Sequence, residues 1–305
     1  MNHKLKTKNR KPLLSVVMPV YNAASYLGEA IDSILAQTFS DFEFIIVDDA
    51  STDTSYEILK NYQKKDKRIR LIRNDKNLKQ GATVTRALNE AKGSFIARMD
   101  ADDISDKYRF EKQIDYLTTH KKVVAVGSQC LLINKKGKVM GEKTFPTEFE
   151  QVYKYIFEFC PVQQPAMMFA IKRLPKDFAF YDHGMSPVED VELLLKLFKY
   201  GRVENINEYL LKYRIHGENS SLKHLKHSFF LTFISRMRGV FLHGYRPTVK
   251  GVAVTFAQFA VVMLLPQGTS MALYKAVKDV TLPSLFSFSP TYLFNLLLSK
   301  YEIIR

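Results

Sequence analysis

The chain has 305 residues, and 45 Lys and Arg against 31 Asp and Glu give a net charge of +14. A hydrophobic content of 46% with 25% charged residues excludes a disordered or collagen-like chain and suffices for one large α/β domain or two smaller ones. The two cysteines, Cys130 and Cys160, form no C-x-x-C pair, which argues against a disulfide scaffold or a cysteine zinc site and fits a reducing compartment.

Residues 1–12 are a basic tail with five Lys or Arg and no acid. They do not read as a signal peptide, because the apolar run that follows is short, contains Pro19 and lacks a small-residue cleavage site. Residues 13–18 predict a strand stopped by Pro19. Leu27, Ala30, Ile31, Ile34 and Leu35 then repeat at helical spacing. Residues 44–47 predict a strand ending in Asp48-Asp49, residues 54–62 a helix and residues 70–73 a short strand. Val84, Ala87, Leu88 and Ala91 mark another helix, residues 95–99 a strand ending in Asp100, and residues 123–127 a further strand. This β-α-β-α order predicts an α/β fold with a mainly parallel sheet covered by helices on both faces. Asn134-Lys135-Lys136-Gly137, between apolar residues 131–133 and 139–140, predicts a hairpin at which the sheet becomes mixed.

Residues 188–200 predict a helix and residues 209–215 an extended segment. A boundary is placed near residue 222. The body, 13–221, carries +1, whereas 222–305 is helical, apolar and basic at +8. In that last region Phe229, Phe230, Phe233, Met237 and Val240 recur beside Lys226, Arg236 and Arg238. A basic amphipathic helix of this kind suits an anionic membrane surface, and core packing or a homodimer contact explains the apolar residues equally. The longest uncharged apolar run, residues 251–265, falls short of the roughly 20 residues that span a bilayer as a helix.

In open parallel sheets, ligands bind beyond the carboxyl ends of the strands. Three strand candidates end there in Pro19-Val20-Tyr21-Asn22, Asp48-Asp49-Ala50-Ser51 and Asp100-Ala101-Asp102-Asp103. Adjacent strands would gather five aspartates in one crevice, where they repel unless paired, protonated or holding a cation. A hard divalent cation such as Mg²⁺, shared with substrate phosphates, resolves the repulsion. For any single aspartate the alternative is helix capping, for which Ser51, Asp53, Ser105 and Asp106 are also suited.

The order and spacing of these segments carry a resemblance. Residues 13–127 are similar to the nucleotide-sugar-binding half of a family 2 glycosyltransferase, through SVVMPVYNAASYLGEAIDSILAQTF, FEFIIVDDASTD, the stretch from Asn77 to Arg86, and AKGSFIARMDADDIS. The likeness continues less densely to Ser221. It implies a glycosyltransferase A-type, Rossmann-like fold, with 13–127 binding a nucleotide-diphospho-sugar and 128–221 forming the acceptor side. By this resemblance Pro19 and Tyr21 cradle the base, Asp49 hydrogen-bonds it, and Arg86 lies near the donor. Arg86 reads equally as a surface cation. Asp100 would lie near the ribose and sugar, and Asp102 would ligate Mg²⁺ or Mn²⁺ bridging the diphosphate.

Ser186 and Glu189 read as a capping box, with Pro187 at the first helical position. Asp190 could complement the same helix N-terminus. It also resembles the aspartate of the family's Glu-Asp motif, which implies a general base, with Glu189 on the nucleotide-sugar side. A helix N-terminus lowers a carboxyl pKa, so burial or neighbouring acids must raise that of Asp190 for base catalysis. Tyr213-Arg214-Ile215-His216, with Asn219-Ser220-Ser221, resembles the family's Y-R-x-H segment. That implies a place for His216 at the metal or diphosphate, against the alternative of a structural histidine. Gln164-Pro165 replaces a common His-Pro, which leaves the acceptor open. The Q-x-x-R-W motif of processive synthases is absent, which favours addition of one sugar.

The implied function is inverting, metal-dependent transfer from a nucleotide-sugar, by family frequency a UDP-sugar, to a glycan or lipid-linked acceptor in surface polysaccharide synthesis. The implied location is cytoplasmic, peripheral to the inner face of the plasma membrane through 222–305. The alternatives are a non-catalytic nucleotide-sugar or glycan-binding module, and a sugar nucleotidyltransferase, whose glycine-rich loop is missing where PVYNAASYL stands. Nucleic acid is disfavoured as a partner because an aspartate-rich crevice repels phosphate without metal.

Overall fold

A computed structural model of the chain describes residues 11–182, 188–216 and 225–266. The tail at 1–10, Ser186-Pro187, Asn219-Ser220-Ser221, the boundary at 222 and residues 267–305 lie outside the described residues. The fold is an α/β mixed sheet flanked by helices, with helices following it at the C-terminal end. The first half alternates β1 (Leu14–Val20), α1 (Ala24–Leu35), β2 (Phe42–Asp48), α2 (Ser55–Lys65), β3 (Ile69–Arg73), α3 (Gln80–Glu90) and β4 (Phe95–Arg98). There follow β5 (Ile104–Ser105), α4 (Arg109–Thr119), β6 (Val123–Ile133), β7 (Val139–Lys143), α5 (Phe149–Tyr155) and β8 (Met168–Ala170). The chain continues through α6 (Glu189–Leu197), β9 (Arg202–Arg214), α7 (Leu225–His243) and α8 (Val249–Leu264).

The strands lie in the order β3-β2-β1-β4-β8-β6-β9-β5, with β7 paired to β6. Strands β1 to β4 are mutually parallel, and β8 enters antiparallel between β4 and β6. The sheet therefore becomes mixed at β8, and the predicted hairpin of β6 and β7 adds to that. Alternation along β1 and β2 divides the core. Val16, Met18, Phe44 and Ile46 face α1, α2 and α4, whereas Val17, Ile45 and Val47 face α3, α5 and α6.

Several boundaries differ from the sequence pattern for identifiable reasons. Strand β1 runs through Pro19, which pairs with Val47, because the pairing of β1 with β4 ends at Val17 and no partner on that side needs the missing N–H. The two runs predicted at 123–127 and 131–133 are one strand, β6. Its polar middle is satisfied internally, since Gln129 both donates to the Phe145 carbonyl and accepts from the Phe145 N–H. Helix α4 escapes the pattern because its buried face includes Arg109 and Gln113 beside Phe110 and Leu117.

Helix α7 follows the core-packing alternative for the apolar and basic residues of this region. It packs on α6, with Gly239 so close that an added Cβ would fall 2.7 Å from Leu195. Its cations point inward. Arg236 is 3% exposed and donates to the Ile156 carbonyl, Thr255 and Gln258. Arg238 bridges Glu192 and Asp182, and Lys226 donates to the Met263 carbonyl. Among the described residues, no helix is long and apolar enough to cross a membrane.

Replacing Arg236 with leucine strands three acceptors at the junction of α5, α7 and α8. Each unsatisfied buried acceptor costs about 1–3 kcal/mol. The expected outcome is a clear fall in Tm, whereas Arg246→Leu on the exposed loop between α7 and α8 changes stability by no more than about 0.5 kcal/mol. Equal melting of the two variants would contradict this account of the α7 packing.

Candidate active site

The carboxyl ends of β2, β1 and β4 are neighbours, as the sequence implies, and of the five aspartates Asp100, Asp102 and Asp103 form a tight cluster from which Asp48 and Asp49 stand apart in their local partners. Asp48 is fully buried and pairs with Arg73 at 3.1 Å. Asp49 is 3% exposed, and its carboxylate accepts from the Asn74 side chain at 2.6 Å and from the N–H groups of Leu78 and Lys79 at 2.8 and 3.0 Å. Asp49 thus anchors the loop that leads into α3. The physical reason for the split is that β1 lies between β2 and β4, and local donors neutralise the first pair.

The β1 end is tied to the β2 end. Asn22 accepts from the Thr52 N–H at 2.8 Å, and its own N–H donates to Ser51 at 3.1 Å. Asn22, Ala50 and Lys79 all have positive φ, of 49°, 56° and 71°. Such backbone is costly for residues with a Cβ, and its three occurrences among non-glycine described residues surround the site. Tyr21 is exposed and Pro19 half-buried at the rim. Arg86 is exposed on α3 and donates to Asn74 at 2.6 Å and to the Arg73 carbonyl, so it braces the same loop.

Asp100, Asp102 and Asp103 form the acidic cluster, with one carboxylate oxygen from each within 4.8 Å of the others. Burial pushes the Asp100 carboxyl up, Arg98 opposes this at 2.9 Å, and Asp102 adds repulsion. Asp103 rises well above the ordinary range, through burial first and then its two acidic neighbours. Its Oδ1 accepts the Arg214 N–H at 2.9 Å, and its Oδ2 has no hydrogen-bond partner among the described residues. His216 Nε2 lies 2.8 Å from Asp102 Oδ2. A buried carboxylate oxygen without a donor, within an all-oxygen cluster beside an imidazole, fits a hard divalent cation of the Mg²⁺ or Mn²⁺ class.

The arginines around this cluster carry a signal that the sequence reading passes over. Arg98 is 1% exposed at the end of β4, and Arg109 beneath it donates to the Arg98 and Met167 carbonyls. An arginine inside an apolar strand, two residues before D-x-D, is the clue. Arg214 is also buried. It donates to the carbonyls of Asp102, Asn134 and Lys135, and pairs with Glu29 at 2.6 Å.

Residues from the segment around Gln164, Tyr181 and Glu189 approach the same edge. Helix α6 begins at Glu189 with Val188 before it, so Glu189 does not occupy the third helical position that a capping box requires. Glu189 is buried against the start of α3, where a Cβ on Gly81 would lie 3.2 Å from Oε1 and 3.7 Å from Tyr181 Cβ. The neighbouring Gln80 reaches Asp100 at 3.5 Å. Burial pushes the Asp190 carboxyl above its ordinary value, opposed by a hydrogen bond from Cys160, the Val191 N–H and the charge of Lys143. Tyr181 lies beside Arg98, and Gln164 donates to the Tyr181 hydroxyl at 3.3 Å. Burial pushes that hydroxyl up to about 12.

The profile described as Glycosyl transferase family 2 matches residues 15–170. An uncharacterized glycosyltransferase of Methanocaldococcus jannaschii is 38% identical over 220 residues, 71% of this chain and 75% of that protein. The O-antigen biosynthesis glycosyltransferase WbnJ of Escherichia coli is 34% identical over 218 residues, 68% of this chain and 82% of that protein. Among solved structures, S. aureus TarS with UDP-GlcNAc aligns at a TM-score of 0.56 and 20% identity, covering 73% of this chain and 66% of that one. The mannosyltransferase PcManGT from Pyrobaculum calidifontis, with GDP-Man and Mn²⁺, aligns at 0.61 and 14% identity, covering 96% and 81%. At such identities the two structures share the fold.

The raised pKa of Asp103 has a stability consequence. In the metal-free protein at neutral pH, its charge costs more folded than unfolded, and the cost disappears as pH falls through the folded value. Asp103→Asn keeps the acceptor for the Arg214 N–H and removes the charge. It should raise Tm in EDTA at pH 7, with the gain shrinking on acidification. A lower Tm at pH 7 would overturn this.

Proposed function

The chain belongs to glycosyltransferase family 2 and is a glycosyltransferase, and on that premise we propose that it transfers one sugar from a nucleotide-diphospho-sugar, a UDP-sugar, with inversion, to a glycan or lipid-linked acceptor in surface polysaccharide synthesis. The observation that carries the chemistry is the acidic cluster of Asp100, Asp102 and Asp103 at the carboxyl edge of β4, facing the same edge as the start of α6. The names of the E. coli and S. aureus proteins support the glycan class and the UDP-sugar, and the GDP-Man complex keeps the base a matter for experiment.

In this reading Pro19 and Tyr21 line the base pocket, and Asp49 acts with Asn74 and Arg86 by fixing its loop wall. Asp100 lies at the ribose and sugar, and Glu189 packs against the α3 start on the donor side. Asp102, with His216 as its neighbour and Asp103 adding an oxygen, would hold Mg²⁺ or Mn²⁺. The cation would offset diphosphate charge in the bound donor and in the leaving group. The acceptor hydroxyl attacks the anomeric carbon from the face opposite the nucleotide, and Asp190 takes its proton. The bond from the anomeric carbon to the diphosphate oxygen breaks, the nucleoside diphosphate departs, and the single displacement inverts the centre. Burial supports the role of Asp190, because a carboxylate above its ordinary pKa is a stronger base at neutral pH.

Thermal shift with UDP, GDP, CDP, ADP and dTDP, each with and without Mn²⁺, tests the donor half. One diphosphate should stabilise the protein in a Mn²⁺-dependent manner, and Asp102→Ala should abolish that dependence. Absence of any nucleotide shift would refute the donor assignment.

Asp190→Asn should retain the nucleotide shift while lowering kcat at least about 100-fold, the scale of general-base catalysis. The wild-type rate should fall on acidification through a pKa above that of an ordinary aspartate. Retained transfer in Asp190→Asn would remove Asp190 from the reaction, and nucleotide binding without turnover of any sugar donor would favour a non-catalytic module.

A further inference from the structure

The turn between β6 and β7 is rigidly built and unusually charged. Its sequence, Asn134-Lys135-Lys136-Gly137-Lys138-Val139-Met140, contains three lysines and no acid. The Asn134 side chain accepts from the N–H groups of Lys136 and Lys138 at 2.9 and 3.1 Å. The Gly137 N–H donates to the Asn134 carbonyl at 2.9 Å, and Gly137 adopts φ 77°, so the turn is closed by its own hydrogen bonds. All three lysines are exposed, and none forms an ion pair among the described residues. The next acid along β7, Glu142, accepts a hydrogen bond from Tyr209. Beside the lysines, Val139 and Met140 are 47% and 54% exposed.

The tip sits next to the catalytic edge. The Arg214 guanidinium donates to the Asn134 and Lys135 carbonyls at 3.2 Å each and to the Asp102 carbonyl at 2.7 Å. One side chain therefore joins the tip to the loop of the acidic cluster. A surface touched by the tip is therefore next to the acidic loop, and charges interact over a screening length of about 10 Å at 0.1 M salt. An anionic surface would be repelled by three aspartates alone, and the three lysines offset that repulsion.

We propose that the β6–β7 tip, from Lys135 to Met140, is a docking surface for an anionic phospholipid bilayer. The lysines meet the lipid phosphates, and Val139 and Met140 enter the headgroup boundary. Charge complementarity favours this surface over α7, whose Arg236, Arg238 and Lys226 are engaged within the protein. The docking stands without the donor assignment. Its consequence, that the acidic cluster works at the membrane on a lipid-linked acceptor, rests on the proposed glycosyltransferase reaction.

The test is flotation of the full chain with phosphatidylcholine vesicles, with and without phosphatidylglycerol, at low salt. The wild type should float only with the anionic vesicles. Lys136→Ala should lower partitioning about five-fold, the value of one lysine at such a surface. The combined change Lys135→Glu, Lys136→Glu and Lys138→Glu should abolish it, and Val139→Ser with Met140→Ser should weaken it. Each variant should keep its Tm and its Mn²⁺-dependent nucleotide shift, which shows that it is folded with the donor site intact. Two results would overturn the proposal. One is failure of the wild type to bind anionic vesicles. The other is undiminished binding by the triple lysine variant, with loss instead on replacing Phe241, Leu242 and Val249, the exposed apolar residues where α7 meets α8. A missing nucleotide shift in the wild type would count against the donor assignment alone and leave the flotation result standing.

Discussion

Three carboxylates held within 4.8 Å at the end of one short strand are the constraint around which the rest of the site is arranged. Such a cluster is unstable in a partly buried place unless positive charge and donors surround it. The protein supplies them from below and from the side. Arg98 lies in β4 and pairs with Asp100, Arg109 comes from α4, and Arg214 from β9 binds the loop itself. Each guanidinium is buried and satisfies backbone carbonyls, and Arg98 and Arg214 also pair with acids, which links charge compensation to the joining of strands. What remains uncompensated is Asp103 Oδ2, and that residual demand for a cation is what a divalent metal would meet.

The same reasoning separates the two acidic motifs. Asp48-Asp49 and Asp100-Ala101-Asp102-Asp103 look alike at the ends of β2 and β4. In the first pair Asp48 is held by Arg73, and Asp49 accepts from three N–H donors of the loop before α3. The second keeps carboxylate oxygens directed at one another. Positive φ at Asn22, Ala50 and Lys79 shows that these loops are held in backbone conformations that ordinary residues resist. The interlocked hydrogen bonds of Asn22, Ser51, Thr52 and Asp49 maintain them.

The helical end of the chain is governed by a second charge network. Glu192 is buried in α6 and accepts from Arg238 and His243, while Asp182 accepts from Arg238 and Lys196. These pairs fix α7 on the helix whose first turn carries Asp190. The position of the proposed base thus depends on the packing of a helix that begins at Leu225, well downstream of the end of α6 at Leu197, as well as on its own helix. Cys160, hydrogen-bonded to Asp190, belongs to the same buried wall, where burial pushes its thiol well up and leaves it a poor nucleophile.

Sequence alone suffices for the alternation of elements and for the motifs at the strand ends. Period-2 runs at β1 and β2, helical spacing at α1, and motifs at strand ends are local properties that survive without knowledge of partners. It also determined which aspartates had to be considered. It could not decide which of them would be spent on structure, because that depends on donors thirty residues away, such as the Leu78 and Lys79 N–H groups that occupy Asp49. Nor could it show that Arg236 and Arg238 point inward. A run of apolar and basic residues looks the same whether its cations meet solvent, lipid or a buried carboxylate, and only the docking of α7 on α6 settled that. The role of Arg214 was hidden for the same reason, since its partners on α1, the acidic loop and the β6–β7 turn are brought together only by the assembled sheet.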